Sequence, residues 1–183
     1  MPWGWIILGL VLAAGAYLIS TQREFIKMDE INQNAMSQIG VQQNARWNAL
    51  TNLVNAARSY ANFEKDALSE IISKRIQITG NSTTQEVNQQ EGVLNQALGR
   101  LIAVAENYPQ LKASEHYTLA MNSINNYERD VKTSKMVYND TVTKWNRLVR
   151  SFPSSIAAMI FGFSARGYLQ TADEKQEYPD LDF

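Results

Sequence analysis

The side chains that most often carry chemistry are sparse in this sequence. Its 183 residues contain one histidine, His116, and no cysteine. Thiol nucleophiles, thiolate metal sites and disulfide frameworks are therefore excluded, as is any metal site that needs two histidines. A di-iron bundle would require Glu-x-x-His pairs on two helices. Here His116 directly follows Glu115, and residue 113 is Ala. There is no Gly-x-Ser-x-Gly elbow, phosphate-binding glycine loop or dinucleotide fingerprint. Carboxylates do fall near one another, as Glu24 with Asp29 and Glu128 with Asp130. Their helical spacing puts them on solvated faces rather than around a cleft. The expectation is a protein without catalytic activity, cofactor or metal.

The charge pattern points to surfaces instead. Lys and Arg number 17 against 18 Asp and Glu, in a chain that is 45% hydrophobic. That balance excludes a strongly basic nucleic-acid binder, and the chain is too apolar to be intrinsically disordered. Lys144, Arg147 and Arg150 form a short basic face, which suits anionic lipid headgroups if that end of the molecule approaches a membrane. Residues 172–183 carry Asp173, Glu174, Glu177, Asp180 and Asp182 against Lys175. They read as an acidic tail on a mildly basic body, available to the basic face of another copy.

The elements that would carry these groups begin with an uncharged stretch. From Trp3 to Ile19 no charged side chain occurs, and the first is Arg23. As a helix this stretch is about 26 Å long at 1.5 Å per residue, the short end for a hydrocarbon core of about 30 Å. Ile6, Ile7, Leu8, Leu10, Val11, Leu12, Leu18 and Ile19 fill it, with Trp3, Trp5 and Tyr17 near its ends, where amphipathic rings favour headgroups. These residues are expected to be embedded in the bilayer, so residues 1–22 form a transmembrane anchor. A cleavable leader ending near Ala14-Gly15-Ala16 is the competing reading, but no Lys or Arg precedes the apolar run. Arg23 and Lys27 follow the span, which places the C-terminal domain in the cytoplasm of a single-pass protein. Gly9, Ala13 and Ala16 form a small-residue stripe along which two such helices could pack, the alternative being a stripe that simply faces lipid.

Residues 23–171 read as an all-α domain. No proline lies between Pro2 and Pro109. Apolar residues recur at three-to-four spacing at Ile31, Ala35, Ile39, Ala49, Leu53, Ala57, Tyr60, Leu68 and Ile71. Gln42, Gln43, Asn44, Asn48, Asn55 and Asn62 are assigned to the opposite, solvated face. The membrane helix is thus expected to continue as one rod toward Ile78. A turn follows at Gly80-Asn81-Ser82-Thr83, with Thr83 and Glu86 as a capping box for a helix from Thr84. Its apolar positions are Val87, Val93, Leu94, Ala97, Leu98, Leu101, Ile102, Val104 and Ala105, and Pro109 ends it.

A last long helix starts near Ala113 and Ser114. Tyr117, Ile124, Val131, Tyr138, Trp145 and Phe152 stand seven apart, with Met121, Tyr127, Ser134, Thr141 and Leu148 between them. This heptad seam predicts packing along the whole length of the helix, until Pro153 stops it. The expected architecture is an N-terminal transmembrane helix running on into an antiparallel bundle of three to four long helices. Ile156, Met159, Ile160, Phe161 and Phe163 lie in an apolar segment too short to span a bilayer. It would cap the bundle's open end, or meet a membrane surface or a second copy.

Three blocks of residues then resemble the LemA family of bacterial membrane proteins. The first is Asn34 to Gln42 with Arg46, Asn52-Leu53-Val54 and Tyr60-Ala61. The second is Leu101 to Ala113, which contains Glu106-Asn107-Tyr108-Pro109. The third joins Tyr138-Asn139, Asn146 and Ser151-Phe152-Pro153 to Phe161-Gly162-Phe163 and Tyr168. The resemblance implies one N-terminal membrane anchor and a long-helix bundle, with no agreed catalytic residues. It implies further that some relatives take part in forming or organising bacterial membranes. The sequence departs from the family pattern at Met36, Gly40, Asn48 and Thr51, where the family usually has Trp, Asp, Asp and Pro.

Two functions fit. One is a scaffold: a homo-oligomeric anchored bundle that organises the bacterial membrane, with the lipid bilayer as its partner. The alternative is a monomeric membrane-tethered adaptor that binds an unidentified soluble or envelope protein. Nucleic acid is not an expected partner for either.

Overall fold

The computed structural model describes residues 3–57, 70 and 73–170. Its longest element is α1, Trp3–Ala57, an unbroken helix of 55 residues. It is followed by α2 (Thr84–Asn107), the one-turn α3 (Pro109–Lys112), α4 (Glu115–Arg150) and α5 (Ser154–Phe161). No strand occurs among the described residues. The all-α expectation and the anchor-to-bundle continuity of α1 both match this architecture.

Local chemistry sets the boundaries. The Thr83 hydroxyl accepts from the Glu86 N–H while the Glu86 carboxylate accepts from the Thr83 N–H, closing the capping box that starts α2 at Thr84. Pro109 stands in the first turn of α3, where its missing N–H costs nothing. The Ser114 hydroxyl accepts from the Tyr117 N–H and so starts α4. At the end of α5, Gly162 takes φ 74°, the left-handed turn that lets the Phe163 N–H reach the Ala158 carbonyl at 2.9 Å.

The helix does not run to Ile78 as the periodicity predicts. Residues 75–79 are not helical, and Ile78 is buried against the side of α1 rather than on its continuation. Arg75 donates to Asn48 at 3.1 Å and to Asn44 at 2.9 Å, and the Ile76 N–H donates to Gln90 at 2.6 Å. The chain therefore runs back along α1 before α2 begins. Gly40 makes this possible, because a Cβ there would stand 2.3 Å from the Ile78 carbonyl oxygen. Tyr60, Asn62, Leu68 and Ile71 fall outside the described residues, as does the acidic tail.

The return leg also changes the topology. Val87 packs with Ala35 and Ile39, while Leu101 and Val104 pack with Leu53 and Ala57, so α2 runs in the same sense as α1. Among the described long helices, α4 runs antiparallel to both. Trp145 meets Phe25, Thr141 meets Asn32, and Ile124 reaches the cluster of Leu53 and Ala57.

The predicted α4 seam is buried at Ile124, Val131, Tyr138, Trp145 and, in the second set, Thr141 and Val142. Its last member is not: Phe152 is 81% exposed, because α4 has already ended at Arg150. On α1 and α2, Ile31 and Ile102 are more exposed than their spacing suggests. Gln43, assigned to the solvated face, is buried.

Candidate membrane anchor and membrane-proximal face

The span itself makes little use of the rest of the chain. Trp3, Trp5, Ile6, Ile7, Leu8, Leu10, Val11, Leu12, Tyr17 and Ile19 are all exposed. By length and composition α1 is long and apolar enough to cross a membrane. Gly9, Ala13 and Ala16 carry no contact that would occupy their face, and a Cβ at Gly9 would meet nothing within 4 Å. Leu18 differs from its neighbours: it is half-buried and packs against the first cluster of the bundle core. Nine residues separate Gly9 from Leu18, about two and a half turns, so the small-residue stripe lies on the face of α1 opposite the bundle.

That first cluster joins three parts of the chain. Phe25 from α1, Trp145 from α4 and Phe163 beyond α5 pack with centroids 4.6 to 5.5 Å apart, one pair stacked and two edge-on. Ala157 and Ala158 of α5 complete it. Phe163 is thus engaged within the chain and carries the Phe161 ring against it at 6.3 Å. Ile156, Ile160 and Phe161 are exposed, and Met159 is 83% exposed.

Residues 163–170 form a strap that leads away from this end and is read by side chains like an added strand. The Trp145 indole N–H donates to the Ser164 carbonyl at 2.7 Å. The Asn146 amide donates to the Arg166 carbonyl at 2.9 Å and accepts from the Arg166 N–H at 2.8 Å. Asn139 repeats the pattern on Leu169, at 2.8 and 2.9 Å. The Arg166 guanidinium lies 4.5 Å over the Trp145 ring and pairs with Asp29. These contacts give physical roles to Asn139, Asn146 and Trp145, which sequence spacing alone assigns only to a helix.

Cations ring the same end. Arg23, Lys27 and Lys144 line a groove between α1 and α4, together with Glu24, Met28, Ile31 and Thr141. Arg147 and Arg150 stand exposed in the last turn of α4, where positive charge also favours the helix dipole.

Further along the bundle, sequence reasoning missed buried charge. Arg46 is 3% exposed and pairs with Glu128 at 2.7 Å, with Asn95 beyond it at 3.4 Å. Burial pushes the Arg46 guanidinium down, against the pull of Glu128 and Glu91. It stays charged at neutral pH. Lys135 is buried and pairs with Glu91. Glu128 lies on a solvated face as expected but pairs with Arg46, and the half-buried Asp29 pairs with Arg166. The signal was present: Ile39, Gln43, Arg46, Leu50 and Leu53 follow one three-to-four rhythm, as do Val131, Lys135, Tyr138 and Val142.

His116 is exposed, and no group of three His, Asp or Glu side chains poised for a metal exists among the described residues. A polar cleft lies between Asn32, Gln33, Ser82, Thr84, Tyr138 and Arg166. Burial raises the Tyr138 phenol, which favours its neutral form there.

Comparison with known proteins finds a family and several relatives. A family model described as the LemA family matches residues 35–183. The chain is 26% identical over 186 residues to the magnetosome protein MamQ 2 of Paramagnetospirillum magneticum, covering 87% of this chain and 68% of that one. It is 24% identical over 177 residues to the magnetosome protein MamQ of Magnetospirillum gryphiswaldense, covering 82% and 65%. To the protein LemA of Metamycoplasma hominis it is 25% identical over 159 residues, covering 83% and 71%. The family match starts at Ala35, inside α1, so the argument for the span rests on the apolar residues themselves.

Proposed function

The chain belongs to the LemA family, and from that premise we propose that it is a single-pass, membrane-anchored helical bundle that self-associates to organise a bacterial membrane. One observation carries this reading. The apolar half of α1 is bare, while its other half is a core helix of the bundle, with no joint between them. A helix so continuous transmits the orientation of the bundle to the bilayer, as a scaffold requires.

Self-association is supported by the stripe of Gly9, Ala13 and Ala16, because it faces away from the chain's own bundle and leaves room for a second backbone. Similarity to proteins named for the magnetosome favours a role tied to membrane organisation. Arg23 and Lys27 just after the span support a bundle on the cytoplasmic side.

The cysteine-free sequence offers a direct test. Single cysteines introduced at Gly9, Ala13 and Ala16 should form disulfides between copies in native membranes, whereas cysteines at Ile7 and Val11, on the opposite face, should not. Equal cross-linking on both faces, or none on either, would leave the stripe without a role. Absence of any contact between copies would favour the monomeric adaptor instead.

A further inference from the structure

Between Ser151 and Ala165 the chain carries no charged side chain, and this stretch is where it turns around at one end of the bundle. Its internal packing uses Ala157, Ala158 and Phe163. Phe152, Ile156, Met159 and Ile160 point elsewhere and are exposed. Four exposed apolar side chains grouped within nine residues mark a contact surface.

The position of this surface identifies its occupant. α5 shares a core cluster with Leu18 and Phe25, so it sits beside the turn of α1 in which the apolar run ends at Ile19. Trp145 packs on Phe25, and α4 runs antiparallel to α1. Five residues further along α4, roughly 7.5 Å of rise, Arg150 comes level with Ser20. Arg23, Arg147 and Arg150 therefore stand at the depth where the span leaves hydrocarbon, with Lys27 and Lys144 one turn or more behind. Glu24 is the acid among them.

We propose that α5 and Phe152 form a second, shallow membrane contact, lying in the interface of the leaflet beside the anchor. This rests on the reading of the apolar half of α1 as a span. Phe152, Ile156, Met159 and Ile160 enter the boundary between headgroups and acyl chains, and the arginines bind the phosphates of anionic lipids. A second copy is a poorer occupant, since its own α5 would bring the same cations against these. Two contacts, a span and a wedge beside it, fix the tilt and rotation of the bundle on the bilayer, which a single helix alone leaves free.

The test uses the full chain in phosphatidylcholine–phosphatidylglycerol vesicles, with an environment-sensitive fluorophore on Met159→Cys, Leu10→Cys or Met136→Cys. These are exposed positions, so the fold should tolerate the label. The expected result is that doxyl-labelled lipid quenches the labels at 159 and 10 but not at 136, while aqueous iodide quenches only the label at 136. Adding Arg147→Gln and Arg150→Gln should weaken lipid quenching at 159 and leave it unchanged at 10. A label at 159 open to iodide while that at 10 is quenched by lipid would overturn the wedge and keep the anchor. A label at 159 shielded from both quenchers would assign the patch to a second copy. No lipid quenching at 10 would overturn the anchor and the wedge together.

Discussion

Gly40 and Arg46 show how single residues shape this bundle. Gly40 admits the Ile78 carbonyl to the side of α1. Gly40→Ala would improve helix propensity by about 1 kcal/mol. The clash with backbone should outweigh that and give a net loss of about 1–3 kcal/mol. Gly99→Ala on α2 meets nothing within 4 Å and should instead stabilise by about 0.5–1 kcal/mol. Thermal unfolding of the full chain in detergent reads both, and opposite signs are the expectation. Arg46 is a different case. Its partner Glu128 is 59% exposed, so removing the guanidinium leaves a solvated carboxylate rather than a stranded charge. Arg46→Met, which keeps the volume, should change stability by less than about 1 kcal/mol. Arg46→Ala should cost about 2–4 kcal/mol through the cavity it opens. Comparable losses from both would mean that the charge, not the volume, holds the helices there.

Among the elements, α4 was the most legible, because a seven-residue repeat of large side chains has few physical readings other than a packed seam. The capping box before α2 and the stop near Pro153 were legible for the same reason: each is a local rule carried by two or three residues. What was not legible depends on contacts distant in sequence. The non-helical leg at residues 75–79 could not be read from the apolar rhythm, since it is set by contacts of Arg75 and Ile78 with residues of α1 some thirty to forty positions away. Nor could the parallel sense of α2, which follows from the return leg held by Gly40, Asn44 and Asn48. The strap of residues 163–170 was invisible because Asn139 and Asn146 look like ordinary polar positions until the backbone they bind is in place. Phe152 shows where the repeat misled: it keeps the spacing but lies past the helix. Trp145→Ala should therefore cost about 3–5 kcal/mol of bundle stability. Phe152→Ala should stay within about 0.5 kcal/mol. Denaturant unfolding of the two variants separates a seam residue from one that serves the surface.

At the scale of the whole molecule, one helix belongs to two environments. Among the described residues the apolar run of α1 makes little contact with the rest of the chain apart from Leu18, while the remainder of the helix packs against α2 and α4. The candidate surfaces follow from that division: a small-residue stripe on the free side of the span, and an apolar turn with arginines at the bundle's membrane end. Both were visible in the sequence as isolated features. Their relation was not, because only the antiparallel register of α1 and α4 brings Arg150 and α5 beside the end of the span. The central claim is that this anchored bundle assembles with copies of itself. The most direct measurement is the mass of the full-length chain extracted in mild detergent, with the detergent contribution subtracted, alongside electron microscopy of the native membranes. The account predicts a defined multiple of the chain mass and regular assemblies on the membrane, both lost when Gly9 and Ala13 are replaced by Leu. A monodisperse single chain, with membranes bare of any assembly, would contradict it.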